Sequence, residues 1–430
     1  MDGRRGAGVI FWLKVLAAVV VTTVLWVALV LASGLGGWLR APLAPSGDTA
    51  AFADAARRYL DEHNTGNAAY RLLSGGKVVD EHYVSVGEPV DRDTLFQVAS
   101  LSKWVTAWGV LALVDQGRID LDAPVNDYLG RWLLPAAEHD PDQVTVRRLL
   151  SHTAGLTDGL GYGGFEPGES RQTLEASLSS ASDASPGADG RTRVGMAPGR
   201  EWRYSGGGYT LLQLLIEEVS GLPFEEYMRR TVLRPLGMTR STFEPDLART
   251  DNVATFYDTD GAEAVHYRFT ALAAASLYTS VADLSKLLGA HVTDPPGRGV
   301  LSEQTLALMR TPHAARFGAD IWGLGVILYA PTATGDFVIG HDGNNEPAIN
   351  TAARVDPVTG DGIIVLETGA PLLATALAGE WVFWQTGVVD TLDVIRAVPG
   401  MTSAMLTGTA VIALLGLSVA VMMRRRRNRP

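Results

Sequence analysis

The distribution of apolar and polar positions divides the 430-residue chain into distinct stretches. Residues 15–33 and 405–423 are uncharged runs of 19 residues each. As helices rising ~1.5 Å per residue they match the hydrocarbon thickness of a bilayer. Residues 101–114 are apolar on nearly every side, with Gly109 the single glycine and no proline, which predicts a helix enclosed by protein. Residues 51–62 carry the period of an amphipathic helix. Two strand-like runs, 68–73 and 78–84, flank Gly75-Gly76 and predict a hairpin. Helical patterns follow at 210–219, closed by Gly221 and Pro223, and at 224–232 and 281–290. From Trp322 the pattern shortens to β-rich runs at 324–329, 337–339, 349–355 and 363–366, and 372–384 predicts a last helix covering them. Strands at both ends with helices between predict an α+β domain: one sheet built from N- and C-terminal parts, carrying a helical insertion.

Charge sharpens this division. Arg4, Arg5 and Lys14 precede the first apolar run, and Arg424 to Arg427 follow the second at once. The positive-inside rule then predicts both termini in the cytoplasm and the intervening region outside. The expected organisation is a cytoplasmic N-terminus (1–14), a transmembrane helix or uncleaved signal anchor (15–33), a Gly/Pro/Ser tether (34–50), a catalytic domain (51–390), a second transmembrane helix (402–423) and a basic tail (424–430). A cleavable signal peptide ending after Val30-Leu31-Ala32 is the rival reading of the first segment. Setting aside the eight basic residues of the termini (those named, and Arg429) and acidic Asp2 leaves 28 basic and 46 acidic residues, a formal charge of −18. That sign argues against nucleic acid or anionic headgroups as ligands of the outer domain. The absence of cysteine removes disulfides and thiolate metal sites. No H-E-x-x-H, G-x-S-x-G or P-loop pattern occurs, which removes zincin, α/β-hydrolase and NTPase readings.

Candidate chemistry opens the enclosed helix. Ser100 and Lys103 stand three residues apart on its first turn, where positions i and i+3 share a face. A hydroxyl and an amine can meet there, beside backbone N–H groups suited to a developing oxyanion. Only four lysines occur in the chain, and Ser74 to Lys77 has the same spacing. It straddles the predicted hairpin turn, which puts Lys77 in solvent. Asp120 and Asp122 read as a solvated turn, and the Gly-, Ser- and Asp-rich stretch 157–200 as a rim or lid.

Five ordered motifs then carry a resemblance across roughly residues 52–386: Ala99-Ser100-Leu101-Ser102-Lys103; Leu149 to Leu156 (LLSHTAGL); Tyr204-Ser205-Gly206-Gly207-Gly208-Tyr209; Pro235-Leu236-Gly237-Met238; and Gly340-His341-Asp342-Gly343. The chain resembles serine hydrolases related to class C β-lactamases and penicillin-binding D-alanyl-D-alanine peptidases. The resemblance implies a mainly antiparallel sheet flanked by helices, with a helical subdomain. It implies that Ser100 forms an acyl-enzyme, that Lys103 and Tyr204 move its proton, and that no metal or organic cofactor is needed. It also implies an oxyanion hole from the backbone N–H groups of Ser100 and Asn344, with Gly343 letting substrate pass close to its strand. His152 reads as packing beside the site. The Trp381-Val382-Phe383-Trp384 cluster reads as core of the last helix, or as a face toward the membrane.

Two departures bear on substrate. Gly206 replaces the asparagine whose amide binds an acylamino side chain in β-lactamases and peptidases, and His341 replaces a lysine. A histidine is only partly charged near neutral pH, so the permanent cation that reads a terminal carboxylate is gone. The expectation is a membrane-anchored esterase or broad amidohydrolase on the outer face of a bacterial cytoplasmic membrane, acting on a small ester, amide or peptide, held to lipid by two anchors and binding no nucleic acid. The alternatives are a cell-wall D-amino-acid peptidase or β-lactamase, reading its carboxylate with an arginine such as Arg171 or Arg191, and a non-catalytic penicillin-binding-like sensor.

Overall fold

Strand-forming segments from the two ends of the domain meet in one eight-stranded sheet. In the computed structural model, which describes residues 2–159, 161–247, 249–292, 296–345 and 348–427, the strands are β1 (Ala68–Ser74), β2 (Lys77–Val84), β3 (Ala314–Arg316), β4 (Ala319–Trp322), β5 (Ile327–Pro331), β6 (Phe337–Asn345), β7 (Ile349–Val355) and β8 (Gly362–Thr368). Their order is β2-β1-β8-β7-β6-β5-β4-β3, with antiparallel neighbours throughout. The hairpin between β1 and β2 turns at Gly75 (φ 57°) and Gly76 (φ 73°), the left-handed conformations that a two-residue turn demands. Lys77 is exposed beside it, as the hairpin reading requires.

Strands β7 and β8 are buried at every position, so both faces of the sheet centre are covered. The helices that bear on the sheet and the site are α1 (Thr49–His63), α2 (Ser102–Asp115), α3 (Gly206–Ser220), α4 (Val281–Gly289) and α5 (Leu373–Thr386). Helix α5 packs on β7 and β8, and α4 on β8 and β1. Trp381 and Trp384 are buried; the Trp384 ring lies 4.7 Å from that of Phe52 on α1, and its Nε1 donates to the Pro45 carbonyl. This cluster is core.

Helix α2 is the most enclosed of these helices, buried from Ser102 to Leu113. Gly109 has a packing reason: a Cβ there would stand 2.4 Å from the Met228 sulfur, and the Tyr227 hydroxyl donates to the Gly109 carbonyl at 2.9 Å. Two boundaries differ from those the sequence predicts. Helix α3 starts at Gly206 rather than Thr210, because Ser205 caps it by accepting from the Gly208 N–H. Strand β6 runs on to Asn345 rather than stopping at Ile339, because its glycines are paired with β7.

The chain divides into two compact units, residues 43–386 and residues 1–42 with 387–430. In the second unit the helices Asp2–Gly36 and Thr391–Arg427 are long and apolar enough to cross a membrane. They pack against each other through small residues: Trp26 Nε1 donates to the Ala404 carbonyl, and the Trp26 ring and Val19 fill the space beside Gly408 and Gly416. The end of the basic tail, 428–430, and the side chains of 2–9 and 426–427, including Arg4, Arg5, Arg426 and Arg427, lie outside the described residues.

Candidate active site

The turn that presents Ser100 is held from several directions. Residues Ala99–Leu101 form one 3-10 turn that runs into α2. Ala99 has φ 44°, a left-handed conformation that costs an alanine about 1–3 kcal/mol and persists only where surroundings over-determine it. Here they do. Ser102 Oγ donates to the Ala99 carbonyl at 2.5 Å and accepts from the Leu277 N–H at 2.9 Å. The Val98 N–H donates to the Leu277 carbonyl, and the Val98 carbonyl accepts from Thr351 Oγ1 on β7 at 3.1 Å.

Lys103 lies one turn on, buried in the helix core. Its Nζ stands 3.1 Å from Ser100 Oγ and 2.7 Å from the Ala274 carbonyl. Desolvation pushes its pKa down from 10.5 to about 7, against the opposing pull of the Asp158 carboxylate. Tyr204 completes the group: its ring centroid lies 4.9 Å from Lys103 Nζ, and Ser100 is near enough to act on its phenol. Burial raises the phenol above its usual 10, and Ser100 partly offsets that rise. A serine and a lysine one helical turn apart thus meet a tyrosine from about a hundred residues further on.

Tyr204 is positioned by its successors. The Ser205 N–H donates to His152 Nδ1 at 3.2 Å, while Ser205 Oγ donates to Asp158 Oδ1 at 2.5 Å and accepts from the Gly208 N–H at 2.8 Å. Asp158 Oδ2 takes the Gly207 N–H at 2.7 Å. The His152 ring lies 4.4 Å from that of Tyr204, and Trp322 lies edge-on to His152, Tyr204 and His341. Nothing in the sequence pattern singles out Asp158 or Trp322. The first sits in an aperiodic loop and the second on a short strand, and only tertiary contacts give them a place here.

The loop containing residues 157–200 does more than line a rim. A Cβ on Gly206 would stand 2.9 Å from Tyr162 Cε2, and one on Gly207 would stand 2.5 Å from Thr192 Oγ1. The space beside Gly206, where the resembling enzymes carry an asparagine, is therefore occupied by Tyr162. That tyrosine is fixed by a 2.8 Å bond between its hydroxyl and Thr210 Oγ1. Arg171 is committed elsewhere, donating to Glu244 and to the Phe269 carbonyl.

Strand β6 supplies the opposite wall. His341 is buried, with Nδ1 2.6 Å from the Asp342 carbonyl, so the ring proton sits on Nδ1 and Nε2 is a bare acceptor. That Nε2 has no partner among the described residues. Burial, then the charge of Lys103, pushes the ring pKa down to about 4, so His341 is neutral rather than partly charged at pH 7. Gly343 is paired with Thr351 and buried; a Cβ there would fall 2.0 Å from the Val98 carbonyl. The glycine thus admits the nucleophile turn itself to the strand. Asn344, opposite Asn350, is exposed at the strand's end.

Comparison with known proteins identifies the family and the fold. The sequence model of the family described as Beta-lactamase matches residues 52–381. The chain belongs to the Beta-lactamase family. It is 29% identical over 187 residues to penicillin-binding protein 4* of Bacillus subtilis, covering 42% of this chain and 39% of that one. It is 30% identical over 191 residues to esterase EstB of Burkholderia gladioli, covering 40% and 43%. The match thus spans about two fifths of either relative's length. Among solved structures, the octameric penicillin-binding protein homologue from Pyrococcus abyssi superposes with a TM-score of 0.64 at 26% identity, over 79% of this chain and 78% of that one. Beta-lactamase relatives of this kind are serine hydrolases, and the fold, helices against an antiparallel sheet, is theirs.

Proposed function

We propose that this Beta-lactamase family member is a membrane-anchored serine hydrolase that cleaves a small ester, or an activated amide, through an acyl-enzyme on Ser100. The observation that carries the reading is the buried Lys103 amine, 3.1 Å from Ser100 Oγ, with a pKa near 7. Burial favours its neutral form, so its lone pair can take the serine proton as Oγ attacks the carbonyl. Tyr204, kept as a phenol, passes a proton toward the leaving group and later helps a water to deacylate Ser100. The oxyanion is assigned to the N–H groups of Ser100 and Asn344, with Gly343 bringing the Asn344 strand against the nucleophile turn.

Neutral His341 and the Tyr162 ring beside Gly206 support an esterase-like substrate over one read by its carboxylate or acylamino group. An esterase among the relatives agrees with this. The two apolar helices support anchoring to a bacterial cytoplasmic membrane with residues 43–386 outside and both termini inside. The test is a panel of p-nitrophenyl esters, nitrocefin and D-alanyl peptides on the full chain in detergent, with Ser100→Ala as control and a fluorophosphonate label on Ser100. Ester turnover that disappears with Ser100→Ala supports the reading. Labelling without turnover favours a sensor, preferential cleavage of D-alanyl peptides favours the peptidase, and an active Ser100→Ala protein removes the mechanism.

A further inference from the structure

The basic residues of residues 43–386 are few, yet five of them line one cleft away from Ser100. Its volume is about 620 Å³, and its walls are the β1–β2 hairpin, the 92–93 loop, α4, Val292 and Arg298. Arg71 lies midway along β1, Lys77 beside the hairpin turn, Arg92 on the loop, Lys286 on α4 and Arg298 beyond it. Two of the chain's four lysines are here, and Asp93 is the one carboxylate in the wall among the described residues. The overall charge of −18 argues against anionic ligands for the domain as a whole; this cleft has the opposite local balance.

The cations differ in how far they are already neutralised. Arg71 is buried, pairs with Glu81 at 2.7 Å, reaches Ser285 Oγ at 3.4 Å, and leaves its buried Nε without a partner among the described residues. Lys286 is paired with Asp283 at 2.8 Å and donates to the Gly237 carbonyl. Arg92 reaches only its own neighbour, Asp93, at 3.4 Å, and is exposed. Asp361 lies near the hairpin but is spent on Ser74, the Gly75 N–H and Gln385. Lys77 has no ion pair among the described residues, and Arg298 has none either, its NH1 donating to the Leu236 carbonyl at 3.2 Å. Arg298 is moreover held at φ 47°, an unfavourable backbone for an arginine, while its guanidinium lies beside Gly289 on the cleft wall, 3.9 Å from where a Cβ there would be. Ala282, Ser285, Lys286 and Gly289 lie at helical spacing, so one face of α4 gives the cleft a floor of small side chains.

We infer that this cleft, formed by the β1–β2 hairpin, α4 and Arg298, binds an oxyanion of the phosphate class through at least two non-bridging phosphoryl oxygens. Paired Arg71 and Lys286 set the depth of the site. Lys77 and Arg298 supply charge with no ion-pair partner among the described residues, Arg92 adds a guanidinium held only by Asp93 at 3.4 Å, and the guanidinium groups suit two oxygens of one phosphate. The same chemistry occurs in free phosphates and in phosphodiester headgroups, so the probes must separate the two.

Titration calorimetry on the full chain in detergent, with sodium pyrophosphate in one arm and dihexanoyl phosphatidylglycerol in the other, tests this. At 50 mM NaCl one saturable site is expected for at least one probe, weakening several-fold at 200 mM as screening grows. Arg298→Gly removes the guanidinium while giving the φ 47° position the residue that favours it, so loss of fold does not confuse the result. Lys77→Gln alters an exposed side chain. Either variant is expected to weaken binding at least threefold, and the two together tenfold or more, with the unliganded melting temperature held. Pyrophosphate binding alone points to a free phosphate ligand, and phosphatidylglycerol binding that the same variants abolish points to a lipid headgroup. The inference is overturned if neither probe saturates, or if both variants bind as the wild type does.

Discussion

The carbonyl oxygen of Val98 occupies the space beside Gly343 so closely that a Cβ at 343 would stand 2.0 Å from it. This contact ties the strand bearing His341 to the turn bearing Ser100. Gly343→Ala must push one from the other. The expected outcome is a loss of about 1–3 kcal/mol of stability, the usual cost of overpacking, and a fall in ester kcat/KM of at least a hundredfold. Thermal unfolding and ester kinetics check it together. Full activity in the variant would mean that strand and turn can separate without harm.

The Lys103 amine gives the reaction a pH signature. Only its neutral form can accept the serine proton, so kcat/KM is expected to fall tenfold per pH unit below about 7. Stability carries the same group with a definite sign. The folded pKa is depressed from 10.5, so between about 7 and 10.5 the unfolded chain binds the extra proton. Lys103 therefore contributes a stability term that is fully present above the unfolded pKa and is lost as pH falls toward 7. Lys103→Met should flatten that slope in chemical denaturation from pH 7 to 10 while abolishing turnover.

In the proposed mechanism Asp158 acts through others. It pins Ser205 and the Gly207 N–H, and its charge opposes the desolvation of Lys103. Asp158→Asn keeps an acceptor for Ser205 and removes the charge, so the acid limb of kcat/KM is expected to move to lower pH. Asp158→Ala strips partners from two buried donors and is expected to cost about 1–3 kcal/mol. An acid limb that does not move in the Asn variant would make Asp158 a purely structural anchor.

His341→Lys places a second amine near Lys103. Like charges disfavour each other, so the Lys103 pKa should fall further and the stability of the fold should drop. The new cation is expected to raise acylation by benzylpenicillin relative to turnover of p-nitrophenyl acetate. A stopped-flow comparison of the two substrates measures the ratio, and an unchanged ratio would remove His341 from the account of selectivity.

Much of this architecture is legible in the order of residues. The Gly75-Gly76 hairpin, the enclosed helix after Ser100, the final helix over the sheet and strand 349–355 follow from periodicity and turn chemistry, which are local. The Ser100–Lys103 pair is local too, one helical turn apart. Tyr204 joins it through the resemblance. Other features have no local signal. Gly340 to Asn345 reads as a break, yet it is strand, because β7 pairs with it across the sheet. Asp158, Tyr162 and Trp322 look like ordinary loop or strand residues until α3 and β6 arrive beside them. The neutrality of His341 is likewise a property of its burial and of Lys103, which no pattern of residue types contains.

The interleaving of β1 and β2 with β7 and β8 sets a timetable for the nascent chain. Ser100 leaves the ribosome long before Gly343 and Thr351, the residues that clamp its turn, have been synthesised. A truncated or still-growing polypeptide therefore owns a serine but no vice to hold it, and stays inert until its last third has been threaded back beside the first.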